Sequence, residues 1–197
     1  MKLILTTILG IFWLCSTGQN TFKIQAKAIV FPYTDWNDIK PTEGNGLPWV
    51  YDYVTCYGFS SVKSSSSLAP QGSKNYKSSN LSDDNPTTAW VEGKDSYGLG
   101  EWFEIDVSQT TAEQFTILNG YQSSKSAFQN NSRVKRLVVF LNGKEIGEVH
   151  LLDFFGQQTF RLPTNNLHGK LKFVIVDVYK GLKYADTAIS EFFSCEM

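Results

Sequence analysis

The stretch Asn80-Leu81-Ser82-Asp83-Asp84-Asn85-Pro86-Thr87-Thr88-Ala89-Trp90 organises the reading of the whole chain. Pro86 and the Asn, Asp and Ser residues before it oppose helix and strand and favour a tight polar turn. Asn80, Ser82, Asp83, Asp84 and Asn85 carry side-chain oxygens, and Thr88 adds another. The chain then returns abruptly to apolar residues at Ala89-Trp90. A dense oxygen loop anchored by a bulky aromatic suits a hard cation such as calcium. An ion-free Asx turn on a surface has the same composition, and the loop by itself leaves both readings open.

Downstream of this loop the chain reads as strands. Glu101 to Val107 alternates, with Phe103, Ile105 and Val107 on one face. Phe115 to Leu118 is a second run and ends at the turn Asn119-Gly120. Val134 to Leu141 leads into Asn142-Gly143, a two-residue hairpin signal, with Glu145 to Leu152 as the return strand. Gln158 to Leu162 stops at Pro163, and Ala188 to Ser194 closes the chain. Leu171 to Tyr179 is nearly continuous in β-branched and aromatic residues, as a central sandwich strand should be. No segment sustains a helical period. Many short strands separated by turns predict an all-β fold, an antiparallel β-sandwich or jelly roll.

The 197 residues suggest one domain with appendages. Hydrophobic residues make up 42% and charged residues 19%, a globular composition. Aromatics reach 14%, which suits a β-rich core or a ligand-stacking surface. The net charge of −1 gives no electrostatic case for binding nucleic acid or an anionic membrane.

Residues 1–18 read as an export signal: Lys2, an apolar run from Leu3 to Leu14, then Ser16-Thr17-Gly18. The apolar run is too short to span a bilayer, so no membrane span is expected once the signal is removed. A lipoprotein through Cys15 is the alternative, but Leu14 stands where such signals want a small residue. Residues 19–55 read as an irregular leader. Ala28 to Phe31 is a strand candidate there, Pro32, Pro41, Gly44, Gly46 and Pro48 break every period, and Trp36, Trp49, Tyr51 and Tyr53 argue for partial packing. Residues 56–197 hold the patterned domain. Signal removal leaves Cys56 and Cys195, an even pair that in an exported protein points to a disulfide. Two separate buried thiols are the alternative.

The order of motifs resembles a discoidin-type domain, the β-sandwich of the coagulation-factor C type and its carbohydrate-binding relatives. More closely, it resembles the version attached to secreted bacterial NAD glycohydrolases, which acts in glycan binding and toxin translocation. The matching pieces are Ser66 to Tyr76, Asn80 to Trp90, Gly98 to Phe103, Asn119-Gly120-Tyr121 and Asn131 to Lys135, then Asp177 to Gly181, Lys183-Tyr184 and Asp186 to Glu191. The likeness covers about Cys56 to Cys195, and nothing of a glycohydrolase catalytic domain is present.

The resemblance implies a structural calcium ion held by Asp83, Asn85, Thr88 and Glu191, with backbone carbonyls completing the shell. Such relatives usually have Gly where Asp84 stands, a position that can require positive φ, which Asp tolerates better than most residues. Trp90 is then core beneath the loop. Sugar recognition needs aromatic faces and surrounding polar groups. The loop candidates are Tyr121, Phe128, Asn130, Arg133, Tyr184 and Asp186. Trp102 joins them because Glu104 and Asp106 mark its strand face as the solvent side. The plain alternative is that Tyr121 and Tyr184 bury their rings and that Arg133 pairs with Asp177 or Glu191.

His150 and His168 are the only histidines, and neither sits in a zinc spacing or a nucleophile motif. No catalytic residue is therefore assigned, although a carboxylate pair cannot be read from sequence. The expectation is a secreted, periplasmic or cell-surface module that binds an extracellular glycan. The alternative is a module that docks a partner protein or assists toxin translocation without binding sugar.

Overall fold

Five phenylalanines from five strands, Phe103, Phe115, Phe160, Phe173 and Phe192, meet in the centre of the fold and explain why the alternating segments pair as they do. The computed structural model describes residues 21–28, 55–108, 114–163 and 167–196. The export signal, Cys15 and most of the leader, including Ile29 to Phe31 and its Trp and Tyr residues, lie outside the described residues.

The described residues form twelve strands: β1 (Phe22–Gln25), β2 (Lys27–Ala28), β3 (Thr55–Tyr57), β4 (Val62–Ser64), β5 (Trp90–Val91), β6 (Trp102–Asp106), β7 (Gln114–Asn119), β8 (Ser132–Leu141), β9 (Lys144–His150), β10 (Gln157–Arg161), β11 (Lys170–Tyr179) and β12 (Thr187–Glu196). One layer runs β2-β10-β7-β12, with β3 and β5 also on β12; the other runs β9-β8-β11-β6-β4. A short parallel contact, Thr187 opposite Ser132 and Ala188 opposite Arg133, joins them. All other pairings except β1 with β9 are antiparallel between the named strands, giving the expected antiparallel β-sandwich.

Between the layers, Phe103 stacks on Phe173 at 4.9 Å and meets Phe192 edge-on at 4.9 Å. Phe115 stacks on Phe160 and Phe192 at 5.8 and 5.7 Å. Trp90 is fully buried beside Phe103, and its indole N–H donates to the Ser66 carbonyl at 2.9 Å. It is core, as expected, and it fixes the floor of the polar loop before it. At Asn142-Gly143 the φ values of 51° and 81° are those of the predicted hairpin turn.

Two features differ from the sequence expectation. The leader is not wholly irregular: β1 pairs in parallel with β9, and β2 pairs with β10. Ala26, 2% exposed, crosses between them and donates its N–H to the His150 carbonyl. This strap ties the outer edges of both layers. One short helix, α1 (Lys125–Asn130), also forms, capped by Ser124 Oγ, which accepts from the Ala127 N–H. Its six residues are too few to show a helical period.

The register places Cys56 directly opposite Cys195. Among the described residues no helix is long and apolar enough to cross a membrane.

Candidate functional site

Two polar regions flank Ala89-Trp90. The first is the acidic loop. Glu191 is 106 residues from Asn85, yet the Asn85 N–H donates to Glu191 Oε1 at 2.7 Å. Asp83 Oδ1 accepts from the same N–H at 3.1 Å. Thr88 Oγ1 lies 2.8 Å from Asp83 Oδ2 and 2.9 Å from the Asn85 carbonyl oxygen. Asp83, Thr88 and Glu191 therefore converge. Asn85 joins them through its backbone, while its side-chain oxygen turns away to the Thr87 N–H and hydroxyl.

Asp84 has φ 59°, the left-handed conformation its position suggested. Glu191 is 1% exposed, and its carboxyl is pushed up to about 10. Burial is the largest cause, followed by a hydrogen bond shared with Asp83 and the Asp83 charge; the Asn85 N–H pulls the other way. Among the described residues no three His, Cys, Asp or Glu side chains form a metal cluster. The oxygens that do gather, two carboxylates with a hydroxyl and a carbonyl, are the hard donors calcium takes. A divalent cation would also favour the ionised carboxylate against the burial, and the Asp83 charge, that raise it. The residues present fit the ion.

The second region is a cleft of about 440 Å³. One wall is the turn from Gln71 to Lys74, closed by reciprocal backbone hydrogen bonds of 3.0 and 3.1 Å. Gly72 takes φ 61° in that turn, where a side chain would be strained. The opposite wall is α1, which presents Ser126, Ala127 and Asn130. Leu182 donates its N–H to the Gln129 carbonyl, and Lys183 and Tyr184 donate theirs to the Asn130 carbonyl. Those bonds hold Tyr184, 43% exposed, beside Asn130 at the rim. The floor is Tyr76 against Tyr121, edge to face at 6.5 Å. Burial raises both phenols above the ordinary tyrosine value, so both keep their protons at neutral pH. Asp186 and Ser123 complete the lining with Lys74.

Of the seven ligand candidates, Tyr121, Asn130, Tyr184 and Asp186 come together in this cleft. Phe128 and Arg133 do not line it. Phe128 is 7% exposed, and the Arg133 guanidinium lies 4.9 Å above its ring. Arg133 also grips Asp153, at 2.6 Å to Oδ2, and donates to the Asn131 and Lys180 carbonyls. Its partner is thus Asp153, not Asp177 or Glu191, and it braces the cleft from behind. Gly120, at φ 83°, packs against both side chains. Trp102 lies on the outer face of β6, opposite in facing to Phe103, with Lys172 Nζ 4.3 Å over its ring. Lys74 and Tyr76 line the cleft without having been singled out. Their only signal was membership of the Ser66-to-Tyr76 stretch that carried the resemblance.

His150 sits 3.1 Å from Glu148 on β9, and His168 is an exposed turn residue; neither reaches the cleft.

Two layers, a closed acidic loop and a cleft between adjoining loops define a β-sandwich of the discoidin, or coagulation-factor C, class. The family model described as the NAD glycohydrolase translocation F5/8 type C domain matches residues 52–194. The chain belongs to that family. No curated protein matches it.

Among solved structures it is similar to the family 32 carbohydrate-binding module of Clostridium perfringens NanJ, solved with galactose. That likeness has TM-score 0.53 and 15% identity, covering 73% of this chain and 99% of that one. A C. perfringens module, CpGH89CBM32-5 in complex with GalNAc-β-1,3-galactose, gives 0.51 and 14%, covering 68% and 93%. The two family 32 modules and M60 catalytic domain of C. perfringens ZmpB give 0.57 and 13%, covering 93% of this chain but only 17% of that one. These identities speak for the fold alone.

Proposed function

We propose that this protein is a secreted, non-catalytic carbohydrate-binding module, stabilised by calcium at the acidic loop. The observation that carries the reading is the cleft. The Tyr121 and Tyr184 rings there sit among hydroxyls, amides and one carboxylate, as sugar hydroxyls and C–H faces require. The names of the galactose and GalNAc-β-1,3-galactose complexes support it. Among the described residues Asp186 is the one carboxylate lining the cleft, whereas glycoside hydrolysis ordinarily uses two. Asp83, Thr88, Glu191 and the Asn85 carbonyl would hold the calcium, whose role is to fix the loop rather than to act on a ligand. Export through residues 1–18 and a Cys56–Cys195 disulfide belong to the same reading.

A glycan array with the full chain and a Tyr184→Ala variant tests it. Specific binding that falls about tenfold in the variant, the order of one lost aromatic contact, supports the module. The second reading is an accessory domain for protein docking or toxin translocation, favoured by the name of the matching family. A flat array beside reproducible, saturable binding of a co-secreted toxin would favour that reading.

A further inference from the structure

We infer that Lys74 makes the cleft selective for sugars carrying an anionic substituent, a carboxylate or a sulfate, over their neutral counterparts. This rests on the glycan reading above. Among the described residues two charged side chains line the cleft, Lys74 and Asp186. Neither forms an ion pair among the described residues, whereas Lys94, Lys135 and Lys172 each do. Two unpaired charges of opposite sign thus face one concavity.

Lys74 is also held in place. Its backbone is fixed by the two hydrogen bonds of the Gln71–Lys74 turn. Its ammonium lies 5.7 Å from the centroid of the Tyr121 ring, within reach of that ring's negative face. Lys74 is an exposed residue, and its charge sits over the floor tyrosine at the mouth of the cleft. A neutral sugar would leave this ammonium with the ring alone. An acidic group would meet it directly, in a cleft where charges are screened less than in open water. Asp186 sets the orientation: it repels the acidic group and accepts from ring hydroxyls, so the ligand's anionic end lies toward the Gln71–Lys74 turn.

Calorimetry on the full chain tests this with methyl β-galactoside, methyl galacturonide and galactose 6-sulfate, each at low and high salt. The expected result is that one or both charged sugars bind about tenfold tighter than the neutral one, the scale of a charge-assisted hydrogen bond. Salt should erode that advantage. Lys74→Met should abolish it, and Lys63→Met, on the distant β4, should leave both the preference and methyl β-galactoside affinity unchanged. A response to the uronide alone assigns a carboxylate, and to the sulfate alone a sulfate. Equal or tighter binding of the neutral sugar overturns the inference and leaves the module reading standing. An acidic preference that survives in Lys74→Met overturns the assignment to Lys74. Failure of every sugar on a glycan array overturns the module reading itself.

Discussion

The acidic loop and the cleft are separated by a handful of residues, from Tyr76 to Asp83, and both are rich in oxygen. In the loop the polar atoms are spent on one another: Asn85 N–H on Glu191, Thr88 on Asp83, the Asn85 amide oxygen on Thr87. In the cleft Lys74 and Asp186 have no ion partner among the described residues, and Tyr184 stands at the rim. Closure of that kind does structural work, since a buried polar group must be satisfied where it sits. Openness leaves groups for a molecule that arrives later. On the proposed function the closed Asp-rich loop is structural and recognition falls to the tyrosines of the cleft.

The largest effect should come from the closed region. β3, carrying Cys56, leads into Phe59, whose N–H donates to Ser82 Oγ at the loop. Directly opposite residues in an antiparallel pair have Cα atoms about 4.5–5.5 Å apart, within disulfide range. Replacing both Cys56 and Cys195 by Ser should lower stability by up to about 5 kcal/mol, the chain-entropy limit for so long a loop. Denaturant unfolding measures this, and thiol titration of the native chain should find no reactive pair.

Next in size is the pH response of calcium-stripped protein. The Glu191 carboxyl is higher in the fold, about 10, than its ordinary 4.5, so the folded chain holds the extra proton between those values. Stability is then full near the lower value and is lost as pH rises toward the upper. From about pH 5 to pH 8 the loss should be about 4 kcal/mol. Glu191→Gln keeps an acceptor for Asn85 N–H and should flatten the profile, raising the metal-free melting temperature at pH 8 by roughly 10 °C. Calcium should flatten it in the parent chain and not in the variant. A parent profile that rises with pH over this range would break the contrast between the two regions.

Arg133→Met should cost about 2 kcal/mol, because the guanidinium is 8% exposed and its Asp153 partner 40% exposed. Sugar affinity measured well below the melting temperature should change less than in Tyr184→Ala. A larger affinity loss in Arg133→Met would move that residue from brace to contact. The smallest effect is Asp84→Gly, which removes the left-handed strain at φ 59° and should add about 0.5 kcal/mol.

Most strands were legible because their alternation records which face is buried, as with Phe103 and Ile105 against Trp102 and Glu104. The Asn142-Gly143 turn was legible because its two positive φ angles demand those residue types. The meeting of Glu191 with the loop was not: no periodicity links residues so distant, and only the likeness to discoidin domains brought them together. Arg133 and Phe128 looked like ligand contacts because they flank a loop, and sequence does not show that Asp153 closes over the arginine. β1 escaped notice because four residues beside Ala26 carry too little pattern.

That early segment has a mechanical consequence. The family match starts at residue 52, after the strap has already fastened β9 to β10. Trimming the chain to the family boundary would unzip two rows of backbone amides at once and leave them free to recruit strands from other molecules.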